Sequence, residues 1–535
     1  MHCSASIICI AHDLTMSYSR QNEIDDKSAV DSELAPLQRQ LSLLSQYLKN
    51  QDWENAKGFA STLSQKLPNH PDPWRALADL YRREGRSWNA LGAQKKLLEL
   101  QPNDAEAHFD LALLYGELGL ANEELTAYFQ TLLLDPDFDQ AYVAIGQKIR
   151  GFRFRSSQPI LYPIFDTLIA AGRYVRPANV AKAVLSLLSH DPLLERLLAQ
   201  PADVEGAKQF RVAVRGISRV PLLQTLMKDC AIPDLRFEAL FNTMRRVALT
   251  HLPELEPSKE LLDFLSTLAM HCFTNDYLYP ERDDEVALVA ELQETISLGI
   301  DRSESISLTN LLCLATYRPI HQLLPASALT ALDTMPELRE RIFAEPLIER
   351  ELIPEIPSLG VITDITSIKV RKQYENNPYP RWVRAHVRAK PVSVDAIFNQ
   401  SALKFRSECS LNLANPEILI AGCGTGQHAI ESAATWCGSK LLAVDISLAS
   451  LSYAKRKTSE LNIENIDFLH ADILDLRSLN RDFDIVECVG VLHHMRDPHA
   501  GLEVLVDLVK PGGLIKVGLY SKIARSQITR ARHKA

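Results

Sequence analysis

The sequence predicts a multidomain protein: an all-α N-terminal solenoid, a helical middle region and a C-terminal α/β domain built on a parallel sheet. Three observations predict it. Prolines and aromatic residues recur at a fixed period of 34 residues near the N-terminus. Leucine-rich stretches at helical spacing fill the middle. Towards the C-terminus a short apolar run enters a glycine turn and then a helical pattern, and further apolar runs follow in the manner of βα units.

A chain of 535 residues suits about three domains. A hydrophobic share of 46% and a charged share of 23% are ordinary for a globular protein. The formal net charge of −9 argues against a dedicated nucleic-acid binder. The nine cysteines are scattered, odd in number and free of Cys-x-x-Cys pairs, which fits a reducing cytoplasm and no structural metal. The first residues carry a short apolar patch without a basic flank, so they are not read as a signal peptide, and Met16 is an alternative start. Residues 1–36 are expected to be disordered. No run approaches the roughly 18 apolar residues of a membrane span, so no membrane partner is expected.

In the first ordered part, Pro68, Pro102 and Pro136 stand 34 residues apart, as do Trp74 and His108, Leu77 and Leu111, Ala78 and Ala112, Tyr81 and Tyr115, and Gly85 and Gly119. An earlier unit shows in Leu43, Tyr47, Ala56 and Pro68. Each unit reads as a helix pair whose small residues let the helices approach and whose proline ends the second helix. The pattern resembles the tetratricopeptide repeat (TPR). About three repeats are placed within residues 37–150, where Tyr142, Ile145 and Gly146 begin a fourth helix or a cap. The resemblance implies a concave face that binds a protein partner, which the sequence does not name. The plainer reading is that the repeats only brace the chain.

Residues 151–360 are expected to be helical, from stretches such as Val184-Leu-Ser-Leu-Leu and Leu261-Leu-Asp-Phe-Leu punctuated by prolines. They carry no catalytic motif. His271 and Cys272 are adjacent, so they point to different helix faces and are read as core. Residues 361–410 contain Tyr374-Glu-Asn-Asn-Pro-Tyr-Pro-Arg-Trp, where two prolines and interleaved aromatics fix an extended segment. It resembles a signature of bacterial proteins that join such repeats to a methyltransferase domain. Tyr379, Arg381 and Trp382 are candidates for a lid over a ligand; the alternative is a linker anchored by its aromatics.

Residues 411–535 hold the chemistry. The run 417–421 is a buried strand that enters Gly422-Cys-Gly-Thr-Gly426, and a helix is expected over 427–435. Such a turn lets backbone approach a ligand and presents a helix N-terminus. The next apolar run ends in Asp445, 23 residues after Gly422, where a nucleotide-binding unit places an acid on ribose hydroxyls. The third glycine comes too early for a dinucleotide fingerprint, with Gln427 in its place, and no Gly-Lys-Ser/Thr follows, which excludes a P-loop. Three further strands are expected at 466–469, 483–488 and 514–519, the last after a Pro511-Gly-Gly turn.

Gly-Cys-Gly-Thr-Gly, followed in order by Ala-Val-Asp445-Ile-Ser, His470-Ala-Asp472-Ile, Gly490-Val-Leu-His-His and Leu508-Val-Lys-Pro-Gly-Gly, resembles the class I S-adenosylmethionine-dependent methyltransferases. The resemblance implies a Rossmann-like sheet of strand order 3-2-1-4-5-7-6 and S-adenosyl-L-methionine as methyl donor. The cofactor residues it implies are Gly422, Cys423, Gly424, Thr425, Gly426, Asp445, Ile446, Asp472, Ile473 and Val489. Asp445 would meet the ribose and Asp472 the adenine amino group. The family often has an acid two residues before the first glycine; here that position is Ile420. Five strands are counted, so the domain is expected to lack the last two. The basic residues from Lys516 to Lys534 are read as the solvated face of an interrupted helix.

Methyl transfer needs a base only when the acceptor carries a proton. His493 and His494 are the candidates, against a reading in which they pack. The Leu-His-His form resembles enzymes acting on small molecules or lipids, whereas the repeats point to a protein acceptor. The sequence leaves the methyl acceptor open. The expected function is therefore an S-adenosylmethionine-dependent methyltransferase with partner-binding repeats. The alternatives are a repeat scaffold with an inactive methyltransferase domain and, less favoured, a nicotinamide oxidoreductase.

Overall fold

The computed structural model describes residues 27–172, 174–325, 330–387, 390–394, 396, 414–521, 523–526 and 530–531. The expected disordered start overlaps these only over 27–36, and there the backbone is helical, because α1 spans Lys27–Lys49. Residues 1–26 lie outside the described residues, as do Cys3, Cys9, Cys409 and, in the basic tail, Lys522, Arg532 and Lys534. None of the described helices is long and apolar enough to cross a membrane.

The chain divides between Asp135 and Pro136 into two compact units. In the first, α1 is followed by α2 Trp53–Lys66, α3 Pro71–Arg83, α4 Ser87–Leu100, α5 Ala105–Glu117 and α6 Ala121–Leu134. Each packs on its neighbour in the chain. The starts of α2, α4 and α6 are 34 residues apart, as are those of α3 and α5, so the period of the sequence is a period of the backbone. The recurring side chains explain it. The Trp74 indole N–H donates to the Pro68 carbonyl at 2.9 Å, and a ring nitrogen of His108 meets the Pro102 carbonyl at 2.9 Å one repeat later. Gly85 and Gly119 take the left-handed turn after their helices at φ +72° and +73°, which a Cβ would oppose. Ala56, Ala60, Ala76 and Ala78 are buried between helices with Leu44, Leu63 and Leu77.

The helix Asp139–Lys148, expected as a fourth repeat helix or cap, belongs to the second unit. Tyr142 stacks on Tyr174 with ring centroids 4.8 Å apart, and Gly146 leaves the space that Val175 fills. Contact with the following helical region therefore sets the boundary at 135/136 rather than at 150. From there to Leu352 the described residues form mainly helices, with a core that includes Phe210, Phe237, Phe241, Phe264 and Leu268. His271 is fully buried, with Nδ1 at 3.1 Å from the Met227 carbonyl and Nε2 at 2.7 Å from the Tyr279 hydroxyl. Burial lowers its pKa to about 4. Cys272 is buried beside it.

The remainder is a parallel sheet of five strands in the order β3-β2-β1-β4-β5. The strands are β1 Glu417–Ala421, β2 Lys440–Asp445, β3 Ile466–His470, β4 Phe483–Val489 and β5 Val509–Gly518. Both faces are covered. Leu419, Val444 and Val486 lie in one core cluster, and Ile418, Ile420, Ala443 and Ile485 lie in the other. The Pro511-Gly512-Gly513 turn falls inside β5 rather than before it. Val509 pairs with Phe483 and Leu514 with Ile485, so the turn is a bulge. Gly513 is required there, because an added Cβ would stand 2.8 Å from the Asp484 carbonyl. On the other side, Pro357 and Leu359 hydrogen-bond to the backbone of His470, extending the sheet at β3.

Candidate functional site

A cavity of about 330 Å³ opens over the C-terminal ends of β1 to β4. This is the switch point of the sheet, where the chain leaves β1 towards β2 and β3 and returns on the other side as β4. Its floor is the glycine turn. Gly422 and Gly424 have φ +75° and +53°, and an added Cβ on Gly422 would strike Val491 at 2.3 Å. The Gly422 and Cys423 N–H groups donate to the Val444 carbonyl, tying the turn to β2. Gly424 N–H donates to Asp445 Oδ2 at 2.8 Å, and Ser447 N–H to Oδ1 at 3.0 Å. Burial raises the Asp445 carboxyl above its usual range, and these backbone donors only partly offset it. Asp472 is 3% exposed and accepts the Leu474 N–H at 3.0 Å.

Of the ten expected cofactor residues, Gly422, Cys423, Gly424, Thr425, Asp445, Ile446, Asp472, Ile473 and Val489 line this cavity. Gly426 does not. Its φ is +82°, and a Cβ there would lie 2.4 Å from that of Ala454. It serves the close approach of the helix Gln427–Thr435 to the helix Leu448–Glu460, not the ligand. Ile420 is a core residue, 1% exposed, whose neighbour on β4 is Glu487.

His494 lines the cavity and His493 does not. The His493 ring lies between His494 and Tyr520, at centroid distances of 4.2 and 3.8 Å. Among the described residues neither of its ring nitrogens meets a hydrogen-bond partner. Desolvation lowers the pKa of both histidines. Of the pair, His494 alone reaches the cavity wall.

The three lid candidates separate. Tyr379 and Pro380 face the cavity. Trp382 lies behind them, 6% exposed, donating its indole N–H to the Thr425 carbonyl at 2.9 Å and accepting the Tyr453 hydroxyl on its own carbonyl. Thr425 Oγ1 donates to the Pro380 carbonyl at 2.8 Å. Arg381 turns away to Asp276, at 2.9 Å, and over the Phe273 ring. Arg381 and Trp382 are thus fasteners that hold Tyr379 in the ceiling.

Sequence reasoning missed several contributors. The helix Ile365–Asn376 supplies Ser367, Val370 and Tyr374 to the ceiling. Its start is legible, since Asp364 accepts from the Thr366 and Ser367 N–H groups as an N-cap. Its Glu375 receives the Leu448 and Ala449 N–H groups at 2.8 and 3.0 Å, a carboxylate on a helix N-terminus. Arg176 lines the cavity from the helical region, and its guanidinium is paired with Glu431. His428 lines it too, with Nε2 at 2.6 Å from Glu487 Oε2. Glu487 is 2% exposed and also meets Lys516 at 2.9 Å and Ser432 at 3.2 Å. Burial alone would raise the Glu487 carboxyl; the hydrogen bonds and charges of His428 and Lys516 outweigh it and hold the pKa at about 2. Among the described residues no group of His, Cys, Asp and Glu side chains is arranged to hold a metal ion.

Residues 418–513 match a family model described as a methyltransferase domain. This part of the chain is a methyltransferase domain. The methyl donor that its glycine turn and acids imply is S-adenosylmethionine. Over 129 residues, 24% of this chain and 31% of the relative, it is 35% identical to an uncharacterised protein of Synechococcus sp.. Over 147 residues, 27% of this chain and 59% of the relative, it is 27% identical to a ubiquinone biosynthesis O-methyltransferase of Acinetobacter baumannii. The chain therefore spans less than two thirds of the length of these curated relatives. A solved structure of PKMT2 from Rickettsia typhi is 30% identical over 19% of this chain and 20% of that one, with a TM-score of 0.18. The cavity of the methyltransferase domain fits the donor in its chemistry: it has acids on the β2 and β3 side, a glycine turn at the centre and an aromatic ceiling.

Proposed function

We propose that the chain is an S-adenosylmethionine-dependent methyltransferase and that its N-terminal helix pairs, read as tetratricopeptide repeats, recruit a protein partner or the acceptor. The observation that carries the reading is the cavity itself. Asp445 and Asp472 enter it beside the glycine turn, and Tyr379, Pro380 and the helix Ile365–Asn376 close it. The donor, when bound, supplies a methyl group on a sulfonium whose leaving group is already activated. The chain's own contribution is then mainly alignment and exclusion of water. Asp445, held by Gly424 and Ser447, keeps acceptor lone pairs for the ribose hydroxyls. Asp472 is placed for the adenine amino group, and Ile446 and Ile473 give the base apolar walls. His494 accepts the proton when the acceptor carries one.

The relative named for ubiquinone biosynthesis supports a small-molecule acceptor, as do Val491, Met495 and Tyr520 in the wall beside His494. The six described cysteines are all free, which supports a cytoplasmic setting.

The test is calorimetric titration of the full chain with S-adenosylmethionine, with Asp445→Ala as control. Binding in the wild type, weakened about tenfold or more in the variant, is the expected result. A folded chain that binds no S-adenosylmethionine would overturn the reading and leave a repeat scaffold.

A further inference from the structure

The cavity is electrically lopsided. Its carboxylates, Asp445 and Asp472, stand past β2 and β3, on one side of β1. On the other side stand basic side chains, among them Arg176 and His428, the latter bonded to Glu487 of β4. His428 is in the first turn of the helix that follows the glycine turn, where backbone N–H groups lack intrahelical partners. Arg176 comes from elsewhere: it is the residue before the helix Pro177–Leu188 and lies 255 positions from its partner Glu431. Each of these two is held by a carboxylate that does not itself line the cavity, Glu431 for Arg176 and Glu487 for His428.

That arrangement selects a ligand. The Arg176 Nε and one terminal nitrogen are directed at Glu431, while the fork of a guanidinium carries five N–H donors in all. The pairing with Glu431 fixes the plane of the guanidinium, so little side-chain entropy remains to be lost when a second acceptor arrives. A complementary molecule has hydroxyl and amino donors for Asp445 and Asp472 at one end and an anion at the other. An adenosyl amino acid has that polarity, because its nucleoside donates and its α-carboxylate accepts.

We propose that the helical region completes the cofactor site, with Arg176 donating to the α-carboxylate at the amino-acid end of the cofactor beside His428. The assignment rests on the cofactor reading given above and adds a residue that lies outside the sheet. It also accounts for Glu431, a helix residue on which both Arg176 and the His386 N–H converge. Glu431 positions Arg176 and does not touch the ligand.

Two probes separate the ends of the site. S-adenosylhomocysteine carries the carboxylate, and 5′-methylthioadenosine is the corresponding nucleoside thioether without the amino acid. Both are titrated calorimetrically into the full chain, as wild type, Arg176→Met and Arg176→Lys. Arg176→Met is expected to weaken S-adenosylhomocysteine about tenfold or more and to leave 5′-methylthioadenosine within about twofold, with Arg176→Lys in between. Retained binding of 5′-methylthioadenosine shows that the variant is folded. Equal losses for both probes, or no loss for either, would overturn the role of Arg176 while the cofactor reading stands. A wild-type chain that binds neither probe would overturn both.

Discussion

His428 Nε2 stands 2.6 Å from Glu487 Oε2, so the helix after the glycine turn is bonded to β4 beneath it. Glu487 has a folded pKa of about 2 against 4.5 for the free side chain. Between those values the unfolded chain binds more protons, so the Glu487 carboxylate with its partners His428 and Lys516 contributes stability that is lost as pH falls through 4.5 towards 2. The full contribution is of order 3 kcal/mol. Urea unfolding of wild type and Glu487→Gln is expected to show a stability gap at pH 5 that narrows at pH 3.5. A gap independent of pH would refute the assignment.

Gly426→Ala is expected to cost roughly 2–4 kcal/mol, from a left-handed backbone and the Cβ of Ala454 in its path. The loss appears as a lower unfolding midpoint. S-adenosylhomocysteine affinity of the protein that remains folded is expected to stay close to wild type, since Gly426 is not in the cavity wall.

Tyr379 and Arg381 are two residues apart and should behave in opposite ways. Tyr379 is 64% exposed at the cavity mouth, so Tyr379→Ala should weaken ligand binding and leave the unfolding midpoint almost unchanged. Arg381→Ala leaves the largely buried carboxylate of Asp276 without its partner and should cost about 2 kcal/mol or more. Burial already raises that carboxyl, and the loss of Arg381 removes the charge that opposes the rise.

In the repeats, Trp74→Phe keeps the ring and removes the N–H that bonds the Pro68 carbonyl. A loss of about 1 kcal/mol in the transition of the first unit is expected by thermal unfolding. An unchanged midpoint would mean that the ring alone sets the turn.

Much of the sheet was legible because its determinants are local. An apolar run before a glycine turn, or before an acid, carries its own length and direction, so β1 and β2 lie where the pattern places them. The Pro511-Gly512-Gly513 turn was misplaced because the same residues suit a bulge within a strand, and only pairing with β4 decides between the two. Gly426 was taken for a ligand contact because nothing local shows Ala454 behind it. For Arg381 and Trp382 the sequence leaves lid and anchored linker both open, because it does not say which way an extended segment faces. Arg176, His428 and Glu487 left no signal at all. Each is an isolated charged or titratable residue whose meaning lies in a partner 255, 59 or 29 positions away.

A sequence match and a working site need not share borders. The recognisable stretch, 418–513, carries the glycine turn, both acids and His494. Yet Arg176, Ser367, Val370, Tyr374, Tyr379 and Tyr520 all lie outside it. An expression fragment trimmed to the match would be a bowl without a cover, and its failure to hold a ligand would say nothing about the intact chain. The same partition bears on inheritance. A graft of 418–513 onto another chain would carry the glycine turn and both acids and leave Arg176 and the ceiling behind, so divergence in the helical region can reshape the cavity without altering one residue of the signature.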